Sequence, residues 1–179
     1  MGVSERKERE RKRRWNEIIN AAEEVVFSKG IESATMDEIA VKAEVSKGTL
    51  YNHFKNKNEM MHGIVARALE QILMMFKEAC DKGATGLEKI IGIGEAYYSY
   101  YRDFPKHYNL LLHEEKTELH PDDFEKNPNR ALCTSFGNQI LGVIELAVIA
   151  GVNDGSIRED ADPKLLPLVL WSHSAGILH

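Results

Sequence analysis

Three helix-start signals crowd into the 23 residues from Thr35 to Lys57, TMDEIAVKAEVSKGTLYNHFKNK, and leave room only for two very short helices and a turn before a longer helix begins. Thr35 and Glu38 stand in the reciprocal capping-box arrangement, a hydroxyl followed three residues on by a carboxylate. Ile39, Ala40 and Ala43 then form a narrow apolar stripe that Glu44-Val45-Ser46 interrupts. Ser46 caps the next helix, in which Leu50 and Phe54, four residues apart, point inward while Lys47, Thr49, Tyr51, Asn52 and His53 occupy the other faces. Gly48 carries no side chain beside them, so backbone can come close to whatever this surface meets. Asn56 and Glu59 repeat the N-x-x-E spacing of a cap. The predicted order is helix, turn, helix, long helix.

Upstream, Trp15, Ile18, Ile19, Ala22, Val25 and Val26 recur at three- and four-residue spacing, and Gly30 sits where a C-terminal cap belongs. With Phe27 and Ile31 these residues complete a small three-helix core. Charge is divided unevenly: residues 1–57 hold 12 Lys/Arg against 10 Asp/Glu, whereas the remainder holds 11 against 18, within a chain of formal net charge -5. Much of the positive charge lies between Glu5 and Arg14, including the unbroken run Arg11-Lys12-Arg13-Arg14. Two readings of this segment stay open. One is a solvated charged tail; the other is an arm that follows phosphates or enters a minor groove and gains from counterion release.

The stretch resembles the DNA-binding signature of the TetR/AcrR family of bacterial transcriptional regulators, T-x-x-I-A-x-x-A-G-V-S-x-G-T-L-Y-x-H-F-x-x-K. Thr35, Ile39, Ala40, Ala43, Val45, Ser46, Gly48, Thr49, Leu50, Tyr51, His53, Phe54 and Lys57 match it, and Glu44 departs from the glycine usual in the turn. A left-handed backbone there suits glycine and strains glutamate. The resemblance implies that the helix from Lys47 to Phe54 enters a major groove. Lys47, Thr49 and Tyr51 then match positions that meet base edges, and Thr35, Tyr51, His53 and Lys57 match positions that hold phosphates, with Gly48 and Asn52 on the same surface. A looser likeness, G-x-x-x-G-x-I-x-x-D-x-D-P, runs from Gly151 to Pro163. Family members place an inducer pocket among their central helices and dimerise through their last two long helices, and this sequence stops at His179, inside the first of those two. The expectation is an all-α chain with a basic arm at 1–14, a three-helix helix-turn-helix domain at 15–56 and a larger helical regulatory and dimerisation domain at 57–179, lacking the final helix.

Beyond Asn56 the pattern is helical throughout. Punctuation falls at Asp81–Gly86 and Phe104-Pro105, a polar stretch covers Glu114 to Asn127, a helix start falls at Pro128, and Asp162-Pro163 reads as cap and first residue of another helix that Pro167 can kink. Tyr97, Tyr98, Tyr101, Phe104, His107, Tyr108, Trp171 and His173 suit a mostly apolar pocket with polar handles. Adjacent tyrosines cannot all face one way, so the set must divide between cavity and core. A rival reading gathers His107, His113, Glu114, Glu115 and His120 as metal ligands, but their spacing offers no H-E-x-x-H and no shared helix face. No serine or cysteine has the setting of an activated nucleophile, and Cys80 and Cys133 show no C-x-x-C spacing.

No uninterrupted apolar run reaches the roughly 18 to 20 residues that span a bilayer, and the N-terminus is charged rather than signal-like. The reading is therefore a cytoplasmic, homodimeric DNA-binding regulator without catalytic residues, metal or cofactor. Its expected partners are a palindromic double-stranded DNA operator and a small-molecule inducer, with no membrane. The alternative is a DNA-binding regulator controlled by protein partners or a metal.

Overall fold

The computed structural model describes residues 3–116 and 127–177, and within them every regular element is a helix. The first, α1 (Val3–Lys29), starts well upstream of Trp15, so the basic segment is helical rather than an extended arm. Charges of alternating sign support it: Arg13 pairs with Glu10 at 2.5 Å and with Glu17 at 3.9 Å, and Arg14 pairs with Glu17 at 2.9 Å. At the other end Gly30, at φ +86°, closes the helix by donating its N–H to the Val26 carbonyl at 2.8 Å.

Each expected cap is formed. Thr35 and Glu38 make the full capping box of α2 (Met36–Lys42), with Glu38 N–H to Thr35 Oγ1 at 3.3 Å and Thr35 N–H to Glu38 Oε2 at 3.2 Å. Ser46 Oγ accepts the Thr49 N–H at 3.1 Å and starts α3 (Lys47–His53). Asn56 Oδ1 accepts the Glu59 N–H at 2.8 Å at the head of α4 (Lys57–Lys82), while Glu59 reaches back one residue beyond its expected partner, to the Lys55 N–H at 2.7 Å.

Between α2 and α3 the chain makes a Schellman turn, with Val45 N–H bonded to the Ala40 carbonyl at 3.0 Å and Glu44 N–H to the Val41 carbonyl at 3.1 Å. Glu44 occupies the left-handed position at φ +53°, the one non-glycine residue with positive φ among those described.

Residues 3–65 and 127–130 belong to one compact unit. Its core joins Ile18, Ile19, Ala22 and Val26 of α1 to Ile39 of α2, Leu50 of α3, Phe54, and Met60 and Ile64 of α4. Gly63 decides how closely the helices approach, because a Cβ there would stand 2.8 Å from Ile19 Cδ1, 3.1 Å from Phe54 Cε1 and 3.4 Å from Trp15 Cζ2. The start of α7 (Pro128–Asp154) also belongs to this unit. Asn127 Oδ1 caps it by accepting the Asn129 N–H at 3.1 Å and the Arg130 N–H at 3.2 Å, and buried Asn129 donates Nδ2 to the Glu59 carbonyl at 3.0 Å.

The second compact unit holds residues 66–116 and 131–177. It contains most of α4 and α7, together with α5 (Gly86–Asp103), α6 (Pro105–Lys116) and α8 (Leu165–Ile177). A capping box of Thr85 and Glu88 starts α5, a signal the sequence reading passed over. The head of α5 abuts the tail of α7 with no side chain between them: a Cβ on Gly86 would stand 2.0 Å from the Gly151 backbone nitrogen. Asp154 Oδ2 accepts the Gly86 N–H at 2.8 Å and Ser156 Oγ accepts the Leu87 N–H at 3.1 Å, so the end of one helix caps the start of another. Hydrogen bonds from Ser156 first, then from the Gly86 N–H, hold the Asp154 carboxyl below its ordinary pKa. Asp162 Oδ1 caps α8 through the Lys164 and Leu165 N–H groups at 2.8 and 3.1 Å, and the Leu166 N–H bonds to the Asp162 carbonyl at 3.0 Å; Pro167 has no N–H to give the Pro163 carbonyl, and the regular helix starts at Leu165.

Although no uninterrupted apolar run is long enough, α7 as a whole is long and apolar enough to cross a bilayer by length and composition. It mixes aliphatic residues with uncharged Ser, Asn, Gln and Gly, which keeps its average apolar. Ile140, Ile144, Ala147 and Val148 are buried within the unit, while Leu132, Leu146 and Ile149 are exposed, as are Leu165, Leu168 and Val169 of α8.

The left-handed Glu44 generates a prediction. A non-glycine residue in that region carries roughly 1–2 kcal/mol of strain, part of which glycine returns as extra freedom in the unfolded chain. Glu44→Gly is expected to stabilise the protein by about 1 kcal/mol in urea unfolding. A clear loss of stability would show that the exposed Glu44 side chain does more than occupy the turn.

Candidate functional site

With Leu50 and Phe54 fully buried, α3 turns its remaining side chains outward. Lys47, Gly48 and Asn52 are exposed, Tyr51 is 47% exposed, and Thr49 and His53 are half-buried. Thr49 keeps its hydroxyl 2.9 Å from Ser46 Oγ. Lys47 Nζ pairs with Asp37 of α2 at 2.6 Å, a contact between residues ten apart that the linear sequence does not announce. Thr35 is exposed and its hydroxyl donates to Glu38 Oε2 at 3.0 Å. Lys57, the first residue of α4, donates to the Glu32 carbonyl at 3.0 Å. The eight residues expected at a nucleic-acid surface thus all belong to the helix-turn-helix segment, and three of them, Thr35, Lys47 and Lys57, are held by partners within the protein.

Gly48 is informative because nothing internal requires it. Its φ is not positive, and a Cβ would meet only Ser46 Oγ, at an ordinary 3.8 Å. The space it leaves open is outside the protein, on the face that Lys47, Tyr51 and Asn52 share. The hydrogen bond and charge of Asp37 raise the Lys47 pKa, whereas His53 is shifted downward. Burial first, then the charges of Arg11 and Arg14, hold its pKa below the ordinary imidazole value, so it is neutral at pH 7.

The second unit contains a narrow cavity of about 60 Å³ lined by Phe76, Ile90, Ile93, Gly94, Tyr97, Ile144, Leu170, Trp171 and Ser174. Tyr97 is its hub, with ring centroids 5.3 Å from Trp171, 5.8 Å from Tyr108 and 6.3 Å from Phe76. Of the eight residues expected at a pocket, Tyr97 and Trp171 line this cavity. Tyr108 packs behind Tyr97 and against Tyr101, and Phe104 lies between Tyr100 and His107. Tyr98 is 53% exposed, and His173 borders a shallow surface depression with Leu168, Val169 and Ser172. The aliphatic wall escaped the sequence reading because Ile90, Ile93 and Ile144 look like any buried stripe.

The rival cluster is not assembled among the described residues, where no group of three or more His, Cys, Asp or Glu side chains can hold a metal. His107 packs against Phe104 and His113 is exposed, while His120 and the side chains of Glu114 and Glu115 lie outside the described residues.

Two short capped helices at a tight turn, the second presenting polar side chains outward, define a helix-turn-helix DNA-binding protein. Residues 18–64 match the family described as bacterial regulatory proteins, tetR family. This segment is that of the TetR family of transcriptional regulators. Among its relatives are the HTH-type transcriptional repressor KstR2 of Mycolicibacterium smegmatis, 24% identical over 86% of this chain and 72% of that protein, and the fatty acid metabolism regulator protein of Bacillus subtilis, 23% identical over 88% and 77%. The fold matches the crystal structure of FadR from Bacillus subtilis in complex with stearoyl-CoA, with a TM-score of 0.76, 21% identity, and coverage of 92% of this chain and 84% of that one.

Two predictions follow from the outward face of α3. Gly48→Ala is expected to leave urea stability unchanged or raise it by about 0.5–1 kcal/mol, yet to weaken binding to selected duplex DNA by about tenfold or more; unchanged affinity would place this face away from DNA. A phosphate beside His53 favours the imidazolium that burial disfavours, so binding takes up a proton. Fluorescence anisotropy should therefore show affinity rising as pH falls from 8 to about 5.5, with a flatter profile for His53→Gln. Identical profiles would remove His53 from the phosphate.

Proposed function

We propose that the chain is a homodimeric cytoplasmic repressor that reads a two-fold operator through paired α3 helices. An apolar small molecule of the fatty acyl thioester class releases it by occupying the cavity around Tyr97 and Trp171. The observation that carries the reading is α3 itself, a cap-fixed helix with Leu50 buried and Lys47, Gly48, Tyr51 and Asn52 exposed on its outward side. Lys47, Thr49 and Tyr51 are assigned to base edges, and Thr35, Tyr51, His53 and Lys57 to phosphates. No residue is given a catalytic role and no cofactor is invoked.

The ligand class is supported by the apolar character of the cavity and by the likeness to a Bacillus subtilis regulator of fatty acid metabolism and to the FadR structure from that organism, which holds stearoyl-CoA. At about 60 Å³ the cavity is well below the roughly 300 Å³ and more of an occupied ligand pocket. A bound chain must therefore part Tyr97 from Trp171 and press on Phe76. Phe76 lies on α4, a continuous helix that starts at Lys57, three residues after Phe54 ends α3. A two-fold dimer needs its recognition helices about 34 Å apart, so a shift of a few ångströms carried by α4 is enough to lose the operator. Leu146 and Ile149 of α7, with Leu165, Leu168 and Val169 of α8, provide exposed apolar surface suited to pairing with a second copy.

The operator can be recovered by selection from random DNA and then challenged with acyl-CoA thioesters of graded chain length. Long-chain thioesters should release the DNA and coenzyme A alone should not. Gly94 borders the cavity and a Cβ there meets nothing within 4 Å, so Gly94→Leu should fill the space, keep operator affinity and abolish release. Release by every thioester irrespective of chain length, or an unaltered response in Gly94→Leu, would overturn the cavity assignment.

A further inference from the structure

We propose that the part of α1 upstream of Trp15 is a second DNA contact, a cationic stripe of Lys7, Arg11 and Arg14 that lies along the phosphate backbone beside α3. It rests on the reading of the chain as a DNA-binding regulator and adds a surface outside the matched residues 18–64.

The phase of α1 sets where these cations stand. From Trp15 onward one face of this helix is apolar, with Ile18, Ile19 and Ala22 fully buried. Arg11 precedes Trp15 by four residues, Arg14 precedes Ile18 by four, and Lys7 precedes Arg11 by four, so the same face continues upstream as a row of cations. Trp15 packs on Phe54 with ring centroids 6.1 Å apart, and Phe54 follows His53 at the end of α3. The row therefore emerges next to the recognition helix. The charges of Arg11 and Arg14 are felt at the His53 imidazole, which agrees with that placement.

Charge is sorted across the helix. Arg13 lies away from this face and pairs with both Glu10 and Glu17, and Glu17 also holds Arg14. Among the described residues no carboxylate pairs with Lys7 or Arg11, both of which are exposed. Lys7 and Arg11 thus leave two unmatched charges on the side of α3, about 6 Å apart along the axis and within reach of neighbouring phosphates of one strand. A polyanion running past α3 is the occupant that fits a cationic face continuous with a DNA-reading face.

The test compares the unmodified chain with the double variant Lys7→Gln/Arg11→Gln and with Arg13→Gln, an arginine whose charge is already matched. Each is titrated by fluorescence anisotropy with a labelled duplex of random sequence over a range of salt, and circular dichroism confirms equal helix content. Losing two phosphate contacts should make the log–log salt dependence shallower by about 1.8 and weaken binding in moderate salt by roughly tenfold or more. Arg13→Gln should follow the unmodified protein. A double variant with the unmodified slope overturns the stripe alone, whereas an unmodified chain that binds no DNA overturns the regulator reading and the stripe together. If the double variant instead loses binding to vesicles of anionic lipid while its DNA slope is unchanged, the stripe serves a membrane surface and the proposal fails.

Discussion

Phe54 is the residue on which the DNA-binding unit turns. Helices of seven residues, such as α2 and α3, have too few internal hydrogen bonds to persist alone. Their position has to come from burial, and Phe54 provides it at the end of α3, fully enclosed by Trp15, Ile19 and the backbone of α4 at Gly63. The caps then set rotation and direction: Ser46 fixes where α3 begins, Asn56 where α4 begins, and neither leaves freedom for a register shift. The outward row from Lys47 to Asn52 is thus a consequence of an inward ring, and its accuracy as a reading surface is set by core packing.

The second unit follows a different logic. Its helices meet through missing side chains, with Gly86 against Gly151, and through shared caps, with Asp154 and Ser156 receiving the N–H groups at the head of α5. These contacts define a firm end to the unit. The aromatic hub at Tyr97 is softer, because an apolar ring contact is non-directional and tolerates displacement, whereas the capping hydrogen bonds beside a glycine-glycine contact do not. A cavity walled by Tyr97, Trp171 and Phe76 can therefore widen without loosening the α5–α7 junction.

What was legible in the sequence is local chemistry. Thr35, Ser46, Asn56, Gly30 and Asp162 announce helix ends through hydrogen bonds to their own neighbours, and the left-handed turn at Glu44 follows from the two helices it separates. Events between distant segments were not legible. Whether Tyr97 or Tyr98 faces the cavity depends on the phase imposed by Phe76, Ile144 and Leu170, and Gly63 and Gly86 gain meaning only when distant side chains or backbone stand beside them. The segment from Glu5 to Arg14 has the composition of a tail, yet it continues an already buried helix and its acids fall where they pair with bases. The apolar average of α7 was hidden because uncharged polar residues break up each run.

The tie between Asn129 and the Glu59 carbonyl has a consequence for biosynthesis. It joins residues 70 apart in sequence, and with the Asn127 cap it completes the polar edge of a unit whose other described parts end at residue 65. A ribosome adding about 5–20 residues per second needs roughly 3 to 13 s to travel from residue 65 to residue 130. For that interval α1 to α3 and the head of α4 can collapse around Phe54 with one edge still open. The DNA-reading helix is among the first parts of the nascent chain to take shape, but the unit that carries it closes only when the later helix arrives.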